Sequence, residues 1–239
     1  MNTYKTLAKG ESVMSIKKEY FDKIAEHGQL IVISGPVGTG KEGVIRQYLA
    51  EHPNACVCTQ ATTRDPREGE EDGKDYFFLS LIEFERMIRT GQMLEYSYID
   101  KKAYGTTKKT VDLARSQGRN VILDADVVSA MRVKAICPDA ILIFVLPPSW
   151  QELEDSLTKC GRYDEDKINE LMDMAEEDIA CANLYDYIII NENPEKAISR
   201  LAQIVHGHRY SKANMSGFLD SYIKGEIQTR NKAVSDVLK

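Results

Sequence analysis

Seven residues, Gly35-Pro36-Val37-Gly38-Thr39-Gly40-Lys41, stand between the apolar run Gln29 to Ser34 and a helical pattern from Lys41 to His52. They match G-x-x-x-x-G-K in the order strand, loop, helix. In such a loop the glycines let the backbone approach an anion closely, the amide N–H groups converge on it, and the helix N-terminus adds positive potential. Lys41 then neutralises charge on the β- and γ-phosphates of a nucleoside triphosphate. The candidate ATP site is therefore Gly35, Pro36, Val37, Gly38, Thr39, Gly40 and Lys41, continued by Glu42 and Gly43. The motif's usual Ser or Thr, a Mg²⁺ ligand, is replaced here by Glu42 followed by Gly43. A carboxylate at Glu42 either ligates Mg²⁺ in its place or repels the triphosphate, and the residues leave both open. Asp124, ending the run Val121-Ile122-Leu123, is placed like a strand-end aspartate that holds such a metal, or simply ends a strand.

The rest of the chain alternates in the same way. Ala55 to Thr59, Asn120 to Asp124, Ala140 to Leu146 and Tyr187 to Asn191 read as strands. Lys108 to Gln117, Trp150 to Thr158, Lys167 to Leu184 and Pro194 to His206 read as helices. Near-continuous Ile/Val/Leu strands separated by helices predict an α/β fold with a parallel sheet covered on both faces. Two segments interrupt it: 64–107, turn-rich and then aromatic, reads as an inserted lobe, and 159–166, short and charged between helices, reads as a lid. Residues 1–28 and 207–239 are expected to form helical extensions around a domain at 29–206. Leu219, Tyr222, Ile223 and Ile227 fall at helical spacing in the second.

With 239 residues, 31 basic and 37 acidic, the net charge is −6 and no basic block occurs, so nucleic acid and anionic membranes are disfavoured as partners. No apolar run approaches the ~20 residues that span a bilayer. Five cysteines without metal spacing suit a reducing compartment, and the expected location is the cytoplasm. The two extensions offer surfaces for a homodimer as readily as for packing on the monomer. His27, His52, His206 and His208 read as surface residues near helix ends and are given no chemistry.

Arg64 and Arg67 lie three residues apart in Thr62-Thr63-Arg64-Asp65-Pro66-Arg67-Glu68-Gly69-Glu70. Guanidinium forks of this kind bind phosphate oxygens in bidentate fashion, and ion pairing to Glu70 or Asp72 is the alternative use. This block, the loop at 35–41, DGKDYFF at Asp72 to Phe78, LEY at Leu94 to Tyr96, YGT at Tyr104 to Thr106, ILDAD at Ile122 to Asp126 and PPS at Pro147 to Ser149 resemble the guanylate kinase family. The resemblance runs from Gln29 to about Ile204, roughly three quarters of the chain, with the motifs in the family's order. It implies a P-loop NTPase fold with a parallel β-sheet core, an inserted GMP-binding lobe and a short lid. It further implies ATP and GMP as substrates and Mg²⁺ as cofactor. By position, Arg64, Arg67, Tyr76 and Tyr104 resemble the GMP-phosphate ligands, Glu95 the guanine carboxylate, and Gln60, Thr106 and Asp126 the other base contacts.

Three lid-region positions where the family carries arginines are Ser156, Cys160 and Leu171 here. Arg162, two residues beyond Cys160, is the candidate substitute, so the candidate catalytic set is Lys41, Arg64, Arg67 and Arg162. The sequence supports a guanylate kinase first. It leaves open a non-catalytic nucleotide-binding or protein-interaction module, and a kinase for another monophosphate.

Overall fold

A computed structural model describes residues 27–223. Residues 1–26 and 224–239, Ile227 among them, lie outside the described residues, and with them most of the expected N-terminal extension, the end of the C-terminal one and the homodimer surface these offered.

Five strands form a parallel sheet: β1 (Leu30–Ser34), β2 (Ala55–Cys56), β7 (Asn120–Asp124), β8 (Ile141–Leu146) and β9 (Tyr187–Ile190), in the order β2-β7-β1-β8-β9. The central strands are buried on both faces, which is why LIVIS and ILIFVL are continuous runs and not alternating ones. Ile31, Ile33, Ile122, Ile141 and Ile143 face α1 (Lys41–Glu51) and α7 (Pro194–His208). Leu30, Val32, Val121, Leu142 and Phe144 pack on the other side, with α3 (Lys108–Ser116) and α4 (Val127–Ile136). All strand C-termini lie along one edge, so the loops after β1 and β7 share one crevice, the usual ligand position in such sheets.

The second sheet, β4-β3-β6-β5, contains β3 (Gln60–Thr62), β4 (Tyr76–Phe78), β5 (Met93–Ile99) and β6 (Lys102–Thr107). It covers its own small core of Ala61, Phe84, Met93 and Ala103, with α2 (Leu81–Arg89) across it. Ser80 starts α2 through a reciprocal cap with Glu83. This sheet begins at Gln60, four residues before the expected lobe boundary at Arg64. The expected strand Ala55 to Thr59 pairs only over Ala55–Cys56, because the chain leaves the core sheet there to cross into the lobe.

Beyond β8, α5 (Trp150–Lys159) and α6 (Glu165–Ala180) form a helical pair whose core is Leu153, Leu157, Leu171 and Ala175. Asp164 caps α6 through the Lys167 N–H, so the helix opens earlier than the expected Lys167. It stops at Ala180, short of the expected Leu184, where a single 3₁₀ turn (Ala182–Leu184) leads into β9. Of the expected lid segment only 160–164 lies between helices. The last helix among the described residues is α8 (Lys212–Ile223). Two of the histidines are more enclosed than expected. His52 stacks on Tyr48 at 4.1 Å, and His208 meets the Tyr187 hydroxyl at 3.2 Å.

Candidate active site

The loop after β1 is braced from three sides. Thr39 Oγ1 donates to the Pro36 carbonyl (2.9 Å), Ser156 Oγ on α5 donates to the Gly38 carbonyl (2.8 Å), and Asn191 Nδ2 after β9 donates to the Thr39 carbonyl (2.7 Å). Gly38 sits at φ +94, and a Cβ there would stand 2.9 Å from Leu157 Cδ2, so only glycine allows the loop to pass beneath α5. Gly40, at φ +77, precedes α1 and supplies no side-chain cap. The first N–H groups of that helix are thus left for an anion.

The residues 36–44 line a cleft of about 410 Å³ together with Ser156, Leu157, Cys160, Arg162, Tyr163, Asn191 and Pro194. Arg162 therefore reaches the same cleft as Lys41. Cys160 lies in it too, its thiol turned to the Leu157 carbonyl. Leu171 does not belong to the cleft, being packed against Leu153 and Leu157. At two of the three arginine-depleted positions, then, the side chains dock α5 and α6: Ser156 by a hydrogen bond to the loop, Leu171 by apolar contact.

Lys41 Nζ lies 3.4 Å from Asp124 Oδ1 at the end of β7. The Asp124 side chain keeps 38% of its surface accessible, on the cleft wall. Loss of surrounding water still pushes its carboxyl above the ordinary range, the Lys41 charge opposes that rise, and Glu42 adds to it. The charges of these two carboxylates thus influence one another beside Lys41. Their oxygen donors fit a hard divalent cation, which would relieve their repulsion. Among the described residues no group of three His, Cys, Asp or Glu side chains is assembled for a metal. One or two carboxylates with nucleotide phosphates and water as the other ligands is the pattern Mg²⁺ accepts. A Cβ at Gly43 would meet no atom within 4 Å, so nothing steric excludes the hydroxyl residue missing there.

Across the crevice the lobe gathers a second set. Arg64 is held by Glu70 through two bonds of 2.7 and 2.8 Å, with the Arg67 N–H also donating to Glu70. Arg64 lies over the Tyr76 ring (5.1 Å to its centre), and its guanidinium faces the Tyr104 hydroxyl. The Arg67 side chain is exposed beside them. The ion pair weighed from sequence is present, and it fixes Arg64 among two tyrosines. The Glu70 carboxyl is held down to about 2 by the Arg64 bond first and the Arg67 N–H second. Its usual value is 4.5. Because the folded state favours the ionised form, this contribution to stability is complete above 4.5 and is lost as pH falls from there to about 2. The difference in melting temperature between wild type and Glu70→Gln is expected to shrink across that window; a constant difference in thermal melts would contradict the pairing.

Glu95 on β5 is only 6% exposed, and its Oε1, like Thr106 Oγ1, is buried with no hydrogen-bond partner. Burial raises its carboxyl above the ordinary range, the Thr106 and Gln60 groups oppose that, and Asp126 adds to it. Asp126 caps α4, spending Oδ1 on the Ser129 N–H (2.7 Å). Gln60, Glu95, Thr106 and Asp126 thus converge at one end of the crevice. A buried carboxylate with one oxygen left unpartnered is costly, and its retention points to a ligand with hydrogen-bond donors.

Sequence reading missed Asn191, whose Oδ1 is buried without a partner beside the loop, Arg132, stacked on Tyr96, and Asp178 on α6, whose carboxyl is raised by burial and by Asp126. A lone Asn after a strand, an Arg within an amphipathic helix and an Asp in an acidic one carry no spacing signal.

A parallel sheet with an anion loop on β1, facing an inserted lobe with an arginine–tyrosine cluster and a buried carboxylate, defines a two-site nucleotide-binding protein of the P-loop class. The guanylate kinase family model matches residues 27–208, and the chain belongs to that family. Similar curated proteins include a guanylate kinase of Clostridioides difficile (strain 630), 34% identical over 200 residues, 84% of this chain and 98% of that one. Another is a guanylate kinase of Carboxydothermus hydrogenoformans, 39% identical over 178 residues, 74% of this chain and 87% of that one. Among solved structures, guanylate kinase from Anaplasma phagocytophilum aligns with a TM-score of 0.59 and 25% identity, covering 79% of this chain and 90% of that one.

Proposed function

We propose that this chain transfers the γ-phosphoryl group of ATP to GMP, giving ADP and GDP. The observation that carries the reading is the buried Glu95 carboxylate, Oε1 unpartnered, across the crevice from the Lys41 loop. Guanine presents N1–H and the 2-amino group side by side, and one carboxylate accepts from both; adenine presents an acceptor at N1 and is rejected. Gln60, Thr106 and the free oxygen of Asp126 complete the base site, while Arg64, Arg67, Tyr76 and Tyr104 take the GMP phosphate. The loop 35–43 takes the ATP phosphates, and the unpartnered Asn191 Oδ1 is placed to accept from an amino group of the donor base. Mg²⁺, held through Asp124 with Glu42 and the phosphates, supplies charge neutralisation when bound. Phosphoryl transfer is chiefly positioning and neutralisation, so the chain's own work is to hold the two phosphates in line and exclude water.

With the lid-region positions occupied by Ser156, Cys160 and Leu171, Arg162 is the lid cation in reach of the cleft. Arg162→Ala is expected to lower turnover roughly tenfold or more with little change in melting temperature, since its side chain is exposed. An unchanged rate would remove it from the mechanism. The reading as a whole is tested by ADP formation from ATP and Mg²⁺ with GMP, dGMP, AMP and UMP as parallel acceptors. GMP-dependent turnover supports it. GMP binding without turnover would favour the interaction module, and preference for another acceptor would favour the third reading. The substrates, and the lack among described residues of any helix long and apolar enough to cross a membrane, fit a cytoplasmic enzyme.

A further inference from the structure

The lobe sheet ends on β5, an edge strand whose outer carbonyls have no strand partner among the described residues. One of them, the Tyr96 carbonyl, accepts from Arg132 Nη1 at 3.2 Å, and the Arg132 guanidinium lies over the Tyr96 ring at 4.2 Å from its centre. Arg132 stands on α4, which packs directly against β5. The two elements it joins carry the two carboxylates of the base site: β5 carries Glu95, one residue before Tyr96, and α4 opens on Asp126. These carboxylates are close enough to feel each other's charge. The planar stacking of the guanidinium and its carbonyl bond give β5 and α4 a defined separation, where a lysine would give a point charge on a flexible stem.

We propose that Arg132 is a positioning residue that clasps the lobe edge to the core helix and so fixes the Glu95 carboxylate relative to Asp126 for the guanine base. The inference rests on the proposed base site, and its test is arranged so that the two can fail separately. Arg132→Gln removes charge and stacking, Tyr96→Ala removes the ring, and Tyr96→Phe keeps the ring and the carbonyl.

In the full-length protein, calorimetry with GMP and with IMP, which lacks the 2-amino group, reads the clasp without requiring turnover. Arg132→Gln and Tyr96→Ala are each expected to weaken GMP about tenfold while leaving ATP within about twofold, so that the GMP-over-IMP preference falls about fivefold. Tyr96→Phe should stay near wild type, and the double variant should lose no more than about the larger single loss, as for two halves of one contact. Amide exchange of 93–99 in the nucleotide-free protein should rise about threefold or more in Arg132→Gln, with β1 and β8 unchanged. An unaltered GMP-over-IMP ratio, additive losses, or unaltered exchange at 93–99 would each overturn the clasp. Wild-type protein that discriminates GMP from IMP but forms no ADP would overturn the kinase reading and leave the clasp standing.

Discussion

Lys41→Ala is expected to lower GMP-dependent ADP formation by about 10³-fold, the loss seen when one fixed charge is withdrawn from a developing anion. The side chain is 15% exposed and contacts Asp124 at 3.4 Å, which fixes its head over the crevice in the absence of nucleotide. Truncation also removes the cation that opposes the rise in the Asp124 carboxyl. Two consequences separate this from misfolding. GMP affinity should be nearly unchanged, because the lobe's arginines and Glu95 do not touch Lys41. Melting temperature should move little, since the glycine loop is held by Thr39, Ser156 and Asn191 and not by the lysine. Turnover within tenfold of wild type, measured as ADP formation at saturating substrates, would show that the Gly35–Lys41 loop is not the donor site.

The proposed donor site has a signal in the sequence because that signal is local. Loop, preceding strand and following helix are contiguous, and the continuous apolar runs announced a sheet buried on both faces. The lobe was legible as an insertion but not in its extent. Gln60 to Thr62 looks like the continuation of an apolar strand, and only pairing with Tyr76 to Phe78 and with β6 shows that the chain has already changed sheets. The lid region shows a different limit. The absence of arginine at Ser156 and Leu171 reads as a loss of charge, whereas both positions contribute contacts: a bond to the Gly38 carbonyl and burial between α5 and α6. Ser156 and Leu171 thus dock the helix pair, and under the proposed function charge neutralisation falls to Lys41, Arg162 and a divalent cation. Asn191, Arg132 and Asp178 matter through partners 152, 36 and 52 residues away, namely Thr39, Tyr96 and Asp126. No window of sequence brings such pairs together.

Glu95→Ala is expected to lower kcat/KM for GMP by about 10³-fold and to erase most of the preference for GMP over AMP, because two charge-assisted bonds to the base are lost at once. The same substitution should not destabilise the protein. Wild type holds a carboxylate 6% exposed whose Oε1 has no partner, next to the charge of Asp126, so removing it relieves desolvation and repulsion. A melting temperature equal to or above wild type, with GMP recognition gone, is the mark of a group kept for its ligand at a cost to the fold. A drop in melting temperature with guanine preference intact would make Glu95 a structural residue and refute its role. The pH dependence follows from the same burial. Guanine needs the ionised carboxylate, and the Glu95 carboxyl is raised in the empty site, so GMP affinity should start to weaken at a higher pH than an exposed glutamate would dictate. The KM for GMP should then rise on acidification while the GMP dependence of Glu95→Ala stays flat in that range. Parallel pH profiles for the two proteins would place the titration elsewhere.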